Sequence, residues 1–326
     1  MVSVLLIGLG STTLSALESL LAKCNVQGLV RNVDLESDAD APIVSLANEV
    51  GIPIFSDVSQ QNIKSLVLKF NPDCVVVSSY NQILPPEITA LSTFINVHYS
   101  PLPHYRGRAN VNWAIINDES CVGITIHQIV PDLDAGNILF QQLIPLHSDD
   151  NVADLYDRLN EIQRQYLADT VIKACHGYKG VPQNNAEATY CCTRLPEDGE
   201  IDWSASTRSI DCLIRALATP FPGAYTYFQG QKLLIWSAKT VKKPSNYVGR
   251  IPGRIIGRAK TEGYVDVLTG DGVLRIFQVQ LEGKERTTAA NIVKSVKSTL
   301  GLRVSDLLNR IQTLEQENLR LKANAK

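Results

Sequence analysis

No apolar run in this 326-residue chain approaches the roughly 20 residues that a membrane-spanning helix needs. The apolar start, VSVLLIGLG, is too short for a secretory signal, and no basic leader precedes it. The seven cysteines, at 24, 74, 121, 175, 191, 192 and 212, are odd in number and scattered. That spacing suits neither a disulfide framework nor a metal site, so free structural thiols, no metal and a cytoplasmic location are expected. Lys and Arg are absent between Asn32 and Asn62, where six acids stand. A polyanion would be repelled there.

The 44% hydrophobic and 20% charged content is that of an ordinary globular protein, and the length suits two domains better than one. Charge is unevenly divided. Residues 1–200 hold 11 Lys+Arg against 23 Asp+Glu, a net of −12, whereas residues 201–326 hold 20 against 10, a net of +10. Seven of those basic residues fall between Ala238 and Lys260 with no acid among them. The second half therefore suits an anionic partner, unless the opposite charges only solvate two domains.

From Val2 to Leu91, short apolar strands alternate with helical patterns, the first helix, TLSALESLLAK, being capped by Ser11. This alternation predicts βα units and an α/β, Rossmann-like, mainly parallel sheet with helices on both faces. Ligands bind beyond the carboxyl ends of such strands. A short helix is expected at Asn110 to Asn117 and a long one at Asn151 to Gly177. After Leu195 to Glu200, β-rich runs broken by glycine turns predict a small β-rich, OB-like domain, with TGDG marking a hairpin and a helix at about Thr288 to Leu300. The expected domains are 1–197, 198–302 and a coiled-coil tail, 303–326.

In that tail, Val304, Leu307, Ile311, Leu314, Asn318 and Leu321 follow an a/d heptad seam. β-branched residues at a, Leu at d and one Asn at a favour a parallel two-stranded coil. Arg310 and Glu317 at g would face Glu315 and Lys322 at e of a second copy, so a homodimer through the tail is expected. The competing expectation is an amphipathic helix folded on its own domain.

Gly8 and Gly10 follow the first strand as in a dinucleotide fingerprint, but Thr13 replaces the third glycine, and Glu36 and Asp38 are weak candidates for a ribose acid. A plain tight turn explains them better. The stretch INVHYSPLPHYRG, residues 95–107, is more informative. Asn96 and His98, two apart on a strand, share a face. The strand Gly123 to Val130 then runs into PDLDAGNIL, which brings Asp132 or Asp134 on a turn. His104, His127, His147 and His176 lack organised sequence neighbours and are expected to be structural or solvated.

INVHYSPLPHYRGRANVNWAIIN followed by VGITIHQIVPDLDAGNILFQQLIPL resembles the folate-dependent formyltransferases, with their N-x-H-x-S-L-L-P, R-G and D-x-G segments. The resemblance extends to residue 302 or so, through EIDWSAS and IRALATPFPGAYT, and departs at Pro101, where the family usually has Leu. It implies N10-formyltetrahydrofolate as cosubstrate and Asn96, His98 and Asp134 as catalytic residues. It further implies folate contacts at Tyr80, Asn81, Gln82, Ile83, Leu84, Ser100, Leu102 and Asp132, and substrate contacts at Arg106, Gly107, Arg108 and Trp113.

The acceptor divides the family. A β-rich second domain argues against glycinamide ribonucleotide as acceptor. The basic 238–260 segment would suit methionyl-tRNA, whereas the acidic Asn32–Asn62 segment would not. HYRGRANVNWAI is closer to the Y-R-G-R-A-P-x-N-W run of the UDP-4-amino-4-deoxy-L-arabinose formyltransferase domain, with Asn110 in place of its proline. A nucleotide-linked amino sugar is therefore the expected partner, tRNA the alternative, and no membrane is expected. A non-catalytic scaffold on this fold and a formyltetrahydrofolate hydrolase are the remaining readings.

Overall fold

The computed structural model describes residues 1–32 and 40–324, with side chains to 322; Glu36 and Asp38 lie outside the described residues. The chain divides into two compact units. The first comprises residues 1–111, 120–147 and 154–193; the second comprises 112–119, 148–153 and 194–326.

The first unit alternates strands and helices from its start: β1 (Ser3–Gly8), α1 (Thr13–Leu21), β2 (Asn25–Val30), α2 (Ala41–Glu49), β3 (Ile54–Phe55), α3 (Gln60–Phe70), β4 (Cys74–Ser78), α4 (Pro86–Thr89) and β5 (Thr93–His98). Next come α5 (Asn110–Ile116), β6 (Cys121–Gln128), β7 (Ile138–Pro145) and α6 (Val152–Cys175), with α5 and α6 beginning or ending in the second unit. The sheet order is β3-β2-β1-β4-β5-β6-β7, parallel from β3 to β5 and antiparallel at β5/β6 and β6/β7. Every residue of β4 is buried, as a strand covered on both faces requires. In β7, burial alternates over most of the strand, because one face of an antiparallel edge meets solvent. Leu5, Ile7, Val30, Val75, Val77 and Phe94 form a core with Ile63, Leu66 and Val67 of α3.

Close packing accounts for the glycines after β1. A Cβ on Gly8 would stand 2.2 Å from the Thr13 side chain, and one on Gly10 would stand 2.6 Å from that of Ser79. The buried Arg31 guanidinium donates to the Gly8 and Gly10 carbonyls, 3.1 Å each, and pairs with Asp40. A cation held on the carbonyls ties the turn down from within. Ser11 is not the cap of α1: Thr12 takes that position, with no side-chain cap bond. Its hydroxyl is bonded instead to Ser78 and Ser79 across the turn.

The second unit holds α7 (Thr207–Ala216), β8 (Ala224–Phe228), β9 (Gln231–Thr240), β10 (Ile255–Ala259), β11 (Tyr264–Leu268), β12 (Val273–Leu281), β13 (Thr287–Thr288), α8 (Ala289–Ile292) and α9 (Val304–Asn324). Its antiparallel sheet runs β10-β11-β12-β9-β8, with β13 on β12 and the expected TGDG turn joining β11 to β12. Trp203, Ile210, Ile235, Ile276 and Val279 lie in its core. The helix expected from Thr288 to Leu300 stops at Ile292. Val293 is extended, and the chain returns as backbone that bonds Leu300 to Gly253 and bridges Thr299 to Arg254. Pairing with a distant strand end outcompetes the local helical bonds there.

Candidate active site

Asn96 and His98 project from the carboxyl end of β5, and the antiparallel register sets His127 of β6 opposite Asn96 and Thr125 opposite His98. The His127 imidazole is 1% exposed. Its Nδ1–H donates to the Gln128 carbonyl at 2.8 Å, which leaves Nε2 as an acceptor for the Asn96 amide N–H at 3.2 Å. One Asn96 amide hydrogen is thereby used and the other remains to be offered. Burial pushes the His127 pKa down to about 4, against the opposing pull of the Asp134 carboxylate. His127 is thus neutral at physiological pH.

Asp134 lies on the loop between β6 and β7, in a left-handed conformation (φ 49°) that Asp tolerates better than most residues. The glycine two residues on is compulsory: a Cβ on Gly136 would sit 1.8 Å from the Gln128 carbonyl oxygen. Gln183 Nε2 donates to the Asp134 and Gly136 carbonyls at 2.7 and 2.8 Å. With the loop so fixed, Oδ2 of Asp134 accepts the Gly107 N–H at 2.8 Å and stands 3.7 Å from His98 Nδ1. Oδ1 stands 3.7 Å from His127 Nε2. The two rings are nearly perpendicular (86°), with the carboxylate reaching toward both.

His98 is 7% exposed, and its Nε2 faces inward onto two groups. The Tyr105 carbonyl is 3.0 Å away and the Asn110 amide nitrogen 2.8 Å. Its Nδ1 is the edge turned to Asp134. The site thus gathers an amide, two imidazoles and a carboxylate in one largely buried cluster. Such a set can donate to a developing oxyanion and accept a proton from a nucleophile. Among the described residues, no group of three or more His, Cys, Asp or Glu is placed to hold a metal ion.

The other residues expected from the sequence fall into three groups. Tyr80, Asn81, Gln82, Ile83 and Leu84 form the loop after β4; Tyr80 donates to the Val58 carbonyl at 2.9 Å, Asn81, Gln82 and Ile83 are exposed, and Leu84 is turned into the core. Ser100 and Leu102 are buried scaffold, the hydroxyl donating to the His104 carbonyl and the Leu102 N–H to Thr125 Oγ1. Asp132 is exposed and its carbonyl closes the turn with the Ala135 N–H.

Arg106 is 2% exposed and donates to Gln183 Oε1, Asn185 Oδ1 and Tyr190 OH, while its backbone pairs with Thr189 and Cys191. These bonds tie the loop that carries it to residues 183–191. Gly107 contributes its N–H to Asp134, and Arg108 is exposed. Trp113 belongs to the second unit, where Arg194 lies 5.1 Å from its ring centroid. Sequence reasoning missed three participants. His127 stands at the even spacing of a strand facing Asn96, Gln183 lies far along the chain, and Asn110 was noted only as a departure from proline.

A mainly parallel α/β sheet with a polar cluster at the carboxyl end of an inner strand places that cluster where ligands bind in sheets of this class. The chain belongs to the formyl transferase family: residues 9–171 match the formyl transferase domain and residues 195–297 the formyl transferase C-terminal domain. It is 36% identical over 253 residues to the methionyl-tRNA formyltransferase of Caldanaerobacter subterraneus subsp. tengcongensis, covering 76% of this chain and 79% of that one. Among solved structures it is similar to HypX from Aquifex aeolicus in complex with tetrahydrofolic acid (TM-score 0.66, 17% identity, 90% of this chain and 47% of that chain). It is also similar to the N-formyltransferase from Helicobacter canadensis in complex with folinic acid and dTDP-3-aminofucose (TM-score 0.61, 19% identity, 85% and 98%). No described helix is long and apolar enough to cross a membrane.

Proposed function

We propose that this formyltransferase moves a formyl group from N10-formyltetrahydrofolate to the primary amine of a nucleotide-linked amino sugar. The observation that carries the reading is the cluster of Asn96, His98 and Asp134, with the carboxylate 3.7 Å from the His98 ring and held by the Gly107 N–H, and Asn96 bonded to His127. Asn96 offers its second amide hydrogen, and His98 a ring N–H, to the negative charge that develops on the formyl oxygen. Asp134, held by the Gly107 N–H, receives the proton that the attacking amine must lose and returns it to N10 as the formyl C–N10 bond breaks and tetrahydrofolate leaves. The folate loop of residues 80–84 and the Ser100–Leu102 turn are proposed to hold the cosubstrate, with Asn81, Gln82 and Ile83 exposed to do so. A cytoplasmic location accompanies the proposal, since seven cysteines with no disulfide among the described residues suit a reducing compartment.

Two features favour the sugar nucleotide. One is the HYRGRANVNWAI run; the other is the acidic Asn32–Asn62 segment, whose described residues include Asp40, Glu49 and Asp57. Methionyl-tRNA is the second reading, favoured by its named relatives and by the seven basic residues between Ala238 and Lys260. An assay with N10-formyltetrahydrofolate, a panel of UDP-, dTDP- and GDP-linked amino sugars, and methionyl-tRNA separates the two. We expect formylation of one sugar nucleotide and none of the tRNA; exclusive formylation of the tRNA overturns the choice.

The tail is proposed to pair with a second copy. Val304, Leu307, Ile311, Leu314 and Leu321 are all exposed on α9, so the seam is not spent against its own unit. Complementary g and e charges and the a-position Asn318 fit a parallel pair. Deleting residues 305–326 is expected to halve the sedimentation mass, beyond the loss of the tail itself. A mass reduced only by the tail contradicts the dimer.

A further inference from the structure

Asn110, the first residue of α5, occupies the position that the Y-R-G-R-A-P-x-N-W run fills with proline, and its amide meets the inner edge of the His98 ring. The amide nitrogen stands 2.8 Å from His98 Nε2, 3.1 Å from the Tyr105 carbonyl and 3.1 Å from the Gly107 carbonyl. Two carbonyls can only accept, so they fix the orientation of the amide: a flipped Asn110 would point its own oxygen at both. With the NH2 group in place, a proton on His98 Nε2 would set donor against donor at 2.8 Å. An unprotonated Nε2 instead accepts one of the two amide hydrogens, the other being left to the two carbonyls.

We infer that Asn110 is a positioning residue that holds neutral His98 in the Nδ1–H tautomer, with its one ring proton on the edge facing Asp134. The alternative is built into the same site, because the Tyr105 carbonyl lies 3.0 Å from Nε2 and would accept a proton there. Asn110 therefore decides between two available hydrogen-bonding states. The choice matters because Nδ1 is the ring edge turned to the carboxylate. In the Nδ1–H state the neutral ring is a donor to charge developing on the formyl oxygen. In the Nε2–H state it presents only a lone pair beside Asp134. The other groups around the ring do not impose the choice: His127 spends its own Nδ1–H on Gln128, and Asp134 stands 3.7 Å away, beyond a direct hydrogen bond.

The inference deepens the proposed role of His98 and rests on it only for the catalytic consequence. Long-range 1H–15N correlation spectra of the full-length protein, recorded where imidazoles are neutral and assigned with His98→Gln, report the tautomer directly. The expected spectrum of the native chain has His98 protonated at Nδ1. Asn110→Ala and Asn110→Asp are both expected to move the proton to Nε2. The Ala variant frees the Tyr105 carbonyl, while the Asp variant fills the same volume, admits no replacing water and cannot donate. A native His98 protonated at Nε2 overturns the inference, as does an Asp variant that keeps Nδ1–H. The same two variants are expected to lower kcat roughly 100-fold, the effect of losing one oxyanion donor, with little change in KM for the folate. Inverted tautomers with unchanged kcat would leave the positioning role standing and remove His98 from the proposed chemistry.

Discussion

Asp134→Ala is expected to lower kcat by about 10³-fold or more, with folding intact. The carboxylate stands 3.7 Å from each imidazole, and its removal would strip the site of its proposed proton acceptor. The loop itself should survive, since Gly136 and the two Gln183 hydrogen bonds shape it through backbone atoms rather than through the carboxylate. Alanine at Asn96 or His98 should cost turnover of a similar order, because each is proposed to donate to the same oxygen. Single-turnover rates with saturating folate and acceptor measure this, and circular dichroism checks the fold. Turnover within a few-fold of the native rate in the Asp134 variant would remove that residue from the reaction.

Acid should destabilise the protein through His127 before the carboxylates titrate. The ring is buried and neutral with a pKa near 4, whereas the unfolded chain titrates a histidine at about 6.5. A folded-state pKa below the unfolded value means that, between these two pH values, the unfolded chain holds a proton the native chain does not. Stability is therefore full above pH 6.5 or so and falls as the pH drops toward 4, by about 3 kcal/mol in all. His127→Gln keeps a polar partner for Asn96 and cannot titrate. Its urea midpoint should decline less steeply than that of the native chain between pH 6.5 and 4.5. Parallel declines in the two proteins would show that His127 is not the acid-sensitive group.

Local pattern was sufficient for much of the site. Asn96 and His98 share a face because strand side chains alternate, and the polar pair at the end of an apolar strand is legible without a partner. The local pattern left Asp132 and Asp134 open, and only the resemblance, through its D-x-G segment, implied Asp134; the structure explains the glycine, since only glycine fits at 136 against the Gln128 carbonyl. His127 was not legible, although it lies on a strand the pattern identified. Its importance comes from register with Asn96, 31 residues earlier, and register is settled by pairing across the sheet. Leu84 likewise belongs to a segment assigned to the folate, yet its side chain completes the core beside Ile88. Arg106 reads as a substrate cation in a motif, and only the structure shows it buried and bonded to Gln183.

The sequence by itself determined the alternation of strands and helices, the parallel sheet, the β-rich second half and the residue types brought to the end of β5. These depend on periodicity and turn chemistry, which act over a few residues. Tertiary structure alone decided which ring nitrogen of His98 faces Asp134, that His127 is stripped of water and neutral, and that Asn110 rather than solvent meets Nε2. Each of those depends on groups distant in sequence, or folded back by a loop, closing to within 3 or 4 Å, where burial and hydrogen-bond direction set the chemistry.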